Sequence, residues 1–583
     1  MTTLSAQRPL WKLRRPDPDL TARLESETRL GPLLTGALIS RGLCTEAEIA
    51  AHLNGLLTEL HDPALLPDLT RAAERIVTAI KRGERILVHG DYDVDGVTGT
   101  SLLMRLFNLL GADAVWHIPN RFTDGYSFGE HSIKRTQDTG SKVVISVDNG
   151  TSALETITQL AEMGVDVIVT DHHEPPQGPL PPAYAIVNPK LVDSTYPFRE
   201  LCGGAVAFKL AWGVCQAFEG TDKVSERLRT FLVEAMAYVA VATVCDVVPL
   251  SDENRILTRF GLRALANTSH EGMRAMLDVC GLKGMKLVGE DVGFKIGPRI
   301  NASGRLGTAK TAVELLLSDD ISESKQLAKK LDDMNEERKR IERGVLEEAL
   351  AAVEPYTDRE RYPVLVVAGQ GWHQGVVGIV AARLGERYSR PTVVIGLDGD
   401  EGRGSARSVE GFSVLEAMHG GKEHMLRYGG HAAAAGCEVA AGSIDALREG
   451  ICERAREMLA GGDFPAPELA IDAEIPFADM NETLMREIDK LEPFGQGNEP
   501  LVLMSRDARV GEAPRRLGAD RSHLALNLRS GNTALKAMAF GEGARADELT
   551  LGSVVEIVYR PRWNTFRGRT NLELLLLDFR VVK

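Results

Sequence analysis

His89-Gly90-Asp91-Tyr92-Asp93-Val94-Asp95-Gly96 decides how the rest of the chain is read. This octapeptide follows the apolar run Arg85–His89 and precedes a helical pattern over Gly96–Leu110. Three carboxylates and an imidazole thus share one tight loop at the carboxyl end of a strand, where open α/β sheets bind ligands. Carboxylates this close repel one another, and a divalent cation is the partner that would hold them together. A calcium loop of EF-hand type needs a glutamate six residues after the glycine; position 102 is Leu, so that alternative fails.

Two further strand candidates end the same way. Lys142–Val147 runs into Asp148-Asn149-Gly150, and Val165–Thr170 runs into Asp171-His172-His173. Asp246 closes the apolar run Ala235–Cys245. Singly, an Asp in such a place is commonly a turn residue or a helix cap. Its recurrence at four segment ends sets this constellation apart.

Further strand candidates are Val115–Ile118 and Ala183–Val187, and helical patterns cover Ser152–Met163, Ala205–Phe218 and Arg229–Val244. Apolar strands alternating with helices predict an α/β fold with a doubly wound parallel sheet. Residues 1–70 read as a helical lead, followed by a sheet domain over 71–280. The charged, proline-free stretch from Thr311 to about Val353 predicts a connecting helix within 281–353. A smaller α/β unit over 354–460 follows, with strand Val364–Ala368, helix Gly375–Arg387 and strand Thr392–Leu397. Gly461–Pro467 reads as a linker. Short alternating strands at His523–Leu528, Val554–Tyr559 and Leu572–Phe579 predict a β-barrel over 468–583.

The 583 residues are too many for one core, and 44% hydrophobic with 26% charged content is ordinary for a globular protein. Seven cysteines without a Cys-x-x-Cys pair argue against a disulfide framework or a thiolate zinc site, and fit a reducing cytoplasm. The N-terminus lacks a signal-peptide apolar core, and Ala235–Cys245 is too short to span a bilayer, so no membrane is expected. Net charge is −14, yet residues 503–583 hold 14 Lys/Arg against 9 Asp/Glu, a balance of +5 that leaves −19 elsewhere. Acidic residues neutralised by metal make the global charge a poor argument against nucleic acid.

His89-x-x-x-Asp93-x-Asp95, Val147-Asp148-Asn149-Gly150, Asp171-His172-His173 and Asp246 together resemble the four-motif pattern of the DHH phosphoesterase superfamily. The wording of Gly90–Gly96 is closer to its single-strand exonuclease branch than to inorganic pyrophosphatases. The resemblance implies a DHH domain joined by a long helix to a DHHA1 domain, then an OB-like barrel. It implies two cations, Mn²⁺ or Mg²⁺: His89 and Asp93 on one, Asp95, His172 and Asp246 on the other, with Asp148 bridging. His173 would face the scissile phosphate, with Asp91 and Asp171 as supports. Mixed carboxylate and imidazole ligation suits those ions. The implied activity is 5′→3′ hydrolysis of single-stranded DNA to 5′-mononucleotides, in repair and recombination. A single-strand-binding protein and a RecQ-type helicase are the implied partners.

Three glycine-rich clusters carry donors for an anion: Pro298–Gly307, Gly402–Ser408 and Tyr428–Gly436. For Gly429-Gly430 the plain alternative is a tight turn before an Ala-rich helix. In the resemblance, Gly429-Gly430-His431 is the DHHA1 signature, while Arg305, Ser405 and Arg407 grip a 5′-phosphate and Arg121 contacts another. His431 joins the substrate-binding set. Tyr126 and Phe128 are candidates to stack on bases, with ordinary loop packing as the alternative. Tyr559, Arg562, Trp563, Phe566 and Arg567 interleave aromatics with Arg, as single-strand-binding faces do; a solvated hairpin is the alternative. Two rival functions remain: an enzyme for short substrates such as dinucleotides, and a non-catalytic scaffold. Scaffolds of that kind tend to lose metal ligands, and all six candidates are present.

Overall fold

The apolar runs of the first half become five parallel strands: β1 (Ile86–Gly90), β2 (Ala114–His117), β3 (Val143–Val147), β4 (Asp166–Thr170) and β5 (Ala185–Val187). The computed structural model describes residues 8–124, 128–566 and 569–582. The strand order is β2-β1-β3-β4-β5. β1 and β3 are neighbours whose onward connections run to opposite sides of the sheet. That is the switch point at which a crevice opens beyond the carboxyl ends of the strands. β1 and β3 are buried throughout, as expected of a parallel sheet covered on both faces. Helices Val94–Leu110, Gly203–Glu219 and Glu226–Cys245 belong to this unit. Glu226–Cys245 is long and apolar enough by composition to cross a membrane, but 61% of its apolar window is buried inside the protein.

The chain divides into two compact units. The larger holds residues 12–304, 308–329 and 470–583. It contains the parallel sheet, the N-terminal helices Pro18–Thr28, Pro32–Ser40 and Glu46–Asn54, and the C-terminal strands. The N-terminal helices share a core with those strands: Leu24, Leu34, Leu38 and Ile49 lie in one cluster with Phe477, Leu503, Tyr559 and Phe579. Buried Arg255 donates to the carbonyls of His52, Leu491, Glu492 and Pro493, tying the two ends of the sequence to one helix.

The smaller unit holds 305–307 and 330–469 with the N-terminal stretch ending at Trp11. Its sheet uses β6 (Leu365–Gln370), β7 (Thr392–Asp398), β8 (Glu401–Arg407), β9 (Arg427–Gly430) and β10 (Ala434–Ala440), in the order β9-β10-β8-β7-β6. The C-terminal sheet comprises β11 (Ala473–Glu474), β12 (Leu503–Val510), β13 (Arg515–Leu517), β14 (His523–Ser530), β15 (Thr533–Ala539), β16 (Val554–Phe566) and β17 (Arg569–Val581). Their order is β11-β12-β16-β17-β15-β14-β13, and a β12–β14 pairing at Val510 and Leu528 closes the barrel.

The structure departs from the sequence expectations in the connecting segment and gives the form of two glycine-rich clusters. The stretch from Thr311 to Val353 is two helices, Lys310–Leu317 and Ile321–Val353, not one. Asp320 accepts from the Glu323 N–H and the Ser318 hydroxyl donates to Glu323, so Ser318-Asp-Asp320 ends one helix and caps the next. The cluster Pro298–Gly307 is largely helical (Gly297–Leu306); its Gly304 lies against Tyr92, where a Cβ would come 2.7 Å from the Tyr92 carbonyl oxygen. The Ala-rich helix offered as the plain alternative after Gly429-Gly430 does not form: Ala434 and Ala435 begin β10, paired with Arg407 and Ala406 of β8.

Candidate metal centre

Asp91, Asp93 and Asp95 follow β1, Asp148 follows β3, and Asp171, His172 and His173 follow β4. Asp246 caps the carboxyl end of helix Glu226–Cys245. The fold brings these ends together in two sets. Ligand atoms of Asp91, Asp93 and Asp148 lie within 4.8 Å of one another, as do those of Asp95, His172 and Asp246. Asp148 belongs with both: its Oδ1 is 3.2 Å from His172 Nε2, which is 3.6 Å from Asp246 Oδ2 and 3.8 Å from Asp95 Oδ2.

The local backbone explains how this crowding is held. Asp93 caps helix Val94–Leu110, accepting from the N–H groups of Asp95 and Gly96. Gly96 must be glycine, since a Cβ there would lie 2.4 Å from the Asp91 nitrogen. Asp148 adopts a left-handed φ of 64°. Asp95 is gripped by the first turn of helix Gly203–Glu219: Gly203 N–H donates to Oδ2 at 2.7 Å and Gly204 N–H to Oδ1 at 2.6 Å. A Cβ on Gly203 would meet the Asp148 Cβ at 2.6 Å. Sequence reasoning missed this Gly-Gly pair. Its only signal was two glycines at the head of an apolar helix.

Electrostatics point to a missing positive charge. Burial first, and the charge on Asp93 second, push Asp91 and Asp95 each up to about 7. Burial and then Asp95 push Asp246 to about 8. Burial, then Asp95 and Asp93, carry Asp148 well above the carboxylate range. Asp91 Oδ1, Asp148 Oδ1, Asp246 Oδ2 and His172 Nε2 are buried without hydrogen-bond partners. Burial and then His173 hold His172 down to about 4, so it is a neutral ligand at neutral pH. Orphaned oxygens and a neutral imidazole fit hard divalent cations.

Asp171 faces a different task. It accepts from the N–H groups of Thr151, His172 and His173, and from His173 Nδ1 at 2.7 Å. Burial would raise Asp171, but the hydrogen bond and charge of His173, with Thr151, hold it below the usual range. That hydrogen bond outweighs burial at His173 and pushes its imidazolium up to about 9.

His89 sits apart from the carboxylates. Residues alternate across a sheet, and His89 shares its face with Leu87, in the cluster that includes Phe128. Its ring meets Phe128 edge-on at 4.6 Å and its Nε2 is 2.9 Å from Ser132 Oγ. His89 is instead grouped with His117 and His131. Phe128 is therefore core and does not stack on bases; Tyr126 lies outside the described residues. Arg121 stacks on Tyr92 at 4.5 Å and donates to its hydroxyl.

In the smaller unit, Arg407 donates to Ser405 Oγ at 3.0 Å, and no carboxylate pairs with it among the described residues. Both side chains lie over Gly378, in the first turn of helix Val377–Tyr388; a Cβ there would be 2.9 Å from Ser405 Oγ. Arg305 donates to the Gly375 carbonyl, just before that helix. His431 is exposed in the β9–β10 turn. In the barrel, Tyr559 is fully buried, Trp563 donates to Asp489, and Arg562 pairs with Glu573 at 2.7 Å, so these three are committed to packing. Arg567 lies outside the described residues. An exposed aromatic that the sequence did not single out is Phe540, 5.1 Å from His523.

Residues 85–238 match the DHH family N-terminal domain, 361–457 the DHHA1 domain and 471–578 the RecJ OB domain. The single-stranded-DNA-specific exonuclease RecJ of Bacillus subtilis is 35% identical over 572 residues, 97% of this chain and 70% of that one. Two crystal structures of RecJ from Thermus thermophilus superpose on it. The Mn²⁺ complex has a TM-score of 0.81 at 30% identity, covering 98% of this chain and 80% of that one. The Mg²⁺ complex has 0.76 at 29%, covering 98% and 78%. With likeness of this extent across both units and the barrel, the chain belongs to the RecJ family.

Proposed function

We propose that this chain degrades single-stranded DNA from its 5′ end, releasing 5′-mononucleotides with the help of two divalent cations, Mn²⁺ or Mg²⁺. The observation that carries this is Asp148, shared by two ligand sets whose buried oxygens lack partners. Asp91, Asp93 and Asp148 would hold one cation; Asp95, Asp148, His172 and Asp246 would hold the other. Once bound, such a pair lowers the pKa of water between the ions and neutralises charge on the phosphate.

The chain's own groups do the rest. His173, kept protonated by Asp171, donates toward a phosphate oxygen as negative charge develops there. Asp171 accepts at Nδ1 and so fixes which ring nitrogen remains for the substrate. Arg121, braced on Tyr92, supplies a guanidinium to a neighbouring phosphate. Ser405 and Arg407, over the start of helix Val377–Tyr388, form an anion site suited to a terminal 5′-phosphate, and Arg305, on the Gly375 carbonyl, and His431 complete the substrate-binding set. Phe540 with His523 offers a stacking face on the barrel.

In this assignment residues 71–280 are the phosphoesterase domain, 354–460 the DHHA1 domain and 468–583 the OB-like domain, with 1–70 as a lead and 281–353 as the connection. Action in repair and recombination, in the cytoplasm, beside a single-strand-binding protein and a RecQ-type helicase completes it. The test uses a 5′-phosphorylated single strand, the same strand as duplex, and Mn²⁺. Mononucleotides should appear from the single strand and not from the duplex, and Asp148→Asn should lower the rate by about 10³-fold or more while leaving the melting curve intact. An uncut single strand, or full activity in Asp148→Asn, rejects the proposal.

A further inference from the structure

We infer that His89, His117 and His131 form a separate binding site for a transition-metal cation of the Zn²⁺ class. His89 and His117 are in-register partners on the adjacent parallel strands β1 and β2, so both rings leave the sheet on one face. His131 reaches them from the first turn of helix Glu130–Thr139. One ligand nitrogen from each ring lies within 4.8 Å of the others. His117 Nε2 is 3.3 Å from His131 Nδ1, His89 Nε2 is 2.9 Å from Ser132 Oγ, and Ser132 Oγ is 3.5 Å from His131 Nδ1.

These three spacings are of the length that the edges of a tetrahedral site have. Zinc–nitrogen bonds of about 2.0–2.1 Å place neighbouring ligands about 3.3–3.4 Å apart. Three imidazoles with no carboxylate among them select Zn²⁺, Cu²⁺ or Ni²⁺ over Mn²⁺ or Mg²⁺. The fourth corner falls to water or the Ser132 hydroxyl. His89 Nδ1 is buried and unpartnered, so the ring is not committed through that nitrogen to another protein group. The inference rests on the geometry that leaves His89 outside both carboxylate sets, and not on the nuclease reading. A cation here would pin both ends of segment 117–131, which carries Arg121.

The full-length protein is freed of metal, equilibrated with Zn²⁺, desalted and analysed for zinc, alongside His117→Ala/His131→Ala and Asp148→Asn. The double variant should hold one zinc fewer than wild type, whereas Asp148→Asn should lose zinc at the carboxylates and keep the histidine-bound ion. Zinc-soaked wild-type crystals, measured at the zinc edge, should show an anomalous peak among the three rings. That peak decides the matter if the double variant does not fold. Equal zinc content in wild type and double variant, or no peak among the rings with the carboxylate site filled, overturns the inference. Loss of zinc only in Asp148→Asn overturns it too.

Discussion

Cation binding should expel protons in a number set by the crowded carboxylates. At pH 6, groups at about 7 (Asp91, Asp95) and about 8 (Asp246) are almost fully protonated in the metal-free protein. At pH 8 only about half of Asp246 and a tenth of each of the others remain so. Mn²⁺ must displace these protons, because a carboxyl group ligates it only when ionised. From these three groups release should therefore fall from about three protons at pH 6 to about 0.7 at pH 8. Between these pH values each group at about 7 contributes about 1.4 kcal/mol to metal affinity and Asp246 about 2.3 kcal/mol. Together they give about 5 kcal/mol, a ceiling because the groups interact. Titration calorimetry in two buffers of different ionisation enthalpy reads the proton count directly. Release that is near zero at pH 6, or unchanged between pH 6 and 8, refutes the reasoning. The sign extends to folding. Carboxylates raised above their unfolded values lower stability as pH climbs from about 4 toward 7–8, so metal-free protein should be less stable at pH 8 than at pH 6. His173, raised to about 9, acts in the same direction, since its contribution is complete below about 6.5 and lost as pH passes 9.

Lys209→Met should destabilise the protein by about 3–5 kcal/mol in denaturant melts, because it leaves Glu253 charged and buried; Lys209 and Glu253 are both fully buried, and Lys209 also donates to the His61 carbonyl. Adding Glu253→Gln should restore part of the loss, and no restoration would show that the damage is not the unpaired charge. Gly204→Ala should cost about 1–3 kcal/mol by overpacking and weaken Mn²⁺ affinity about 10–100-fold, since the new Cβ would lie 2.7 Å from the Ala242 Cβ and 3.0 Å from Asp95 Oδ1. Calorimetry on the folded variant separates the two effects, and unchanged affinity would show that the Gly204 N–H does not position Asp95.

The parallel strands and the loops beyond them are legible locally. Unbroken apolar runs ending in Asp or His gave the parallel strands and the loops beyond them, because a buried parallel strand has few alternative sequences and its carboxyl end has few places for charge to go. Helix limits shifted by only a residue or two at Val94–Leu110 and Gly203–Glu219. Pairing and facing were not legible. Whether Gly402–Ser408 is a loop or strand β8 depends on its neighbours β7 and β10. The exposure of Phe540 and the burial of Tyr559 depend on how the barrel closes.

The sequence by itself determined that acids and imidazoles would gather at the carboxyl ends of β1, β3 and β4, since chain order and strand polarity dictate which end each loop leaves. Only the tertiary structure decided which of them meet. The pleat turns His89 to the face opposite helix Val94–Leu110 and toward Phe128, while the first turn of a helix more than a hundred residues downstream supplies the N–H groups that orient Asp95. Such contacts come from packing between distant segments, which no local pattern of residue types encodes.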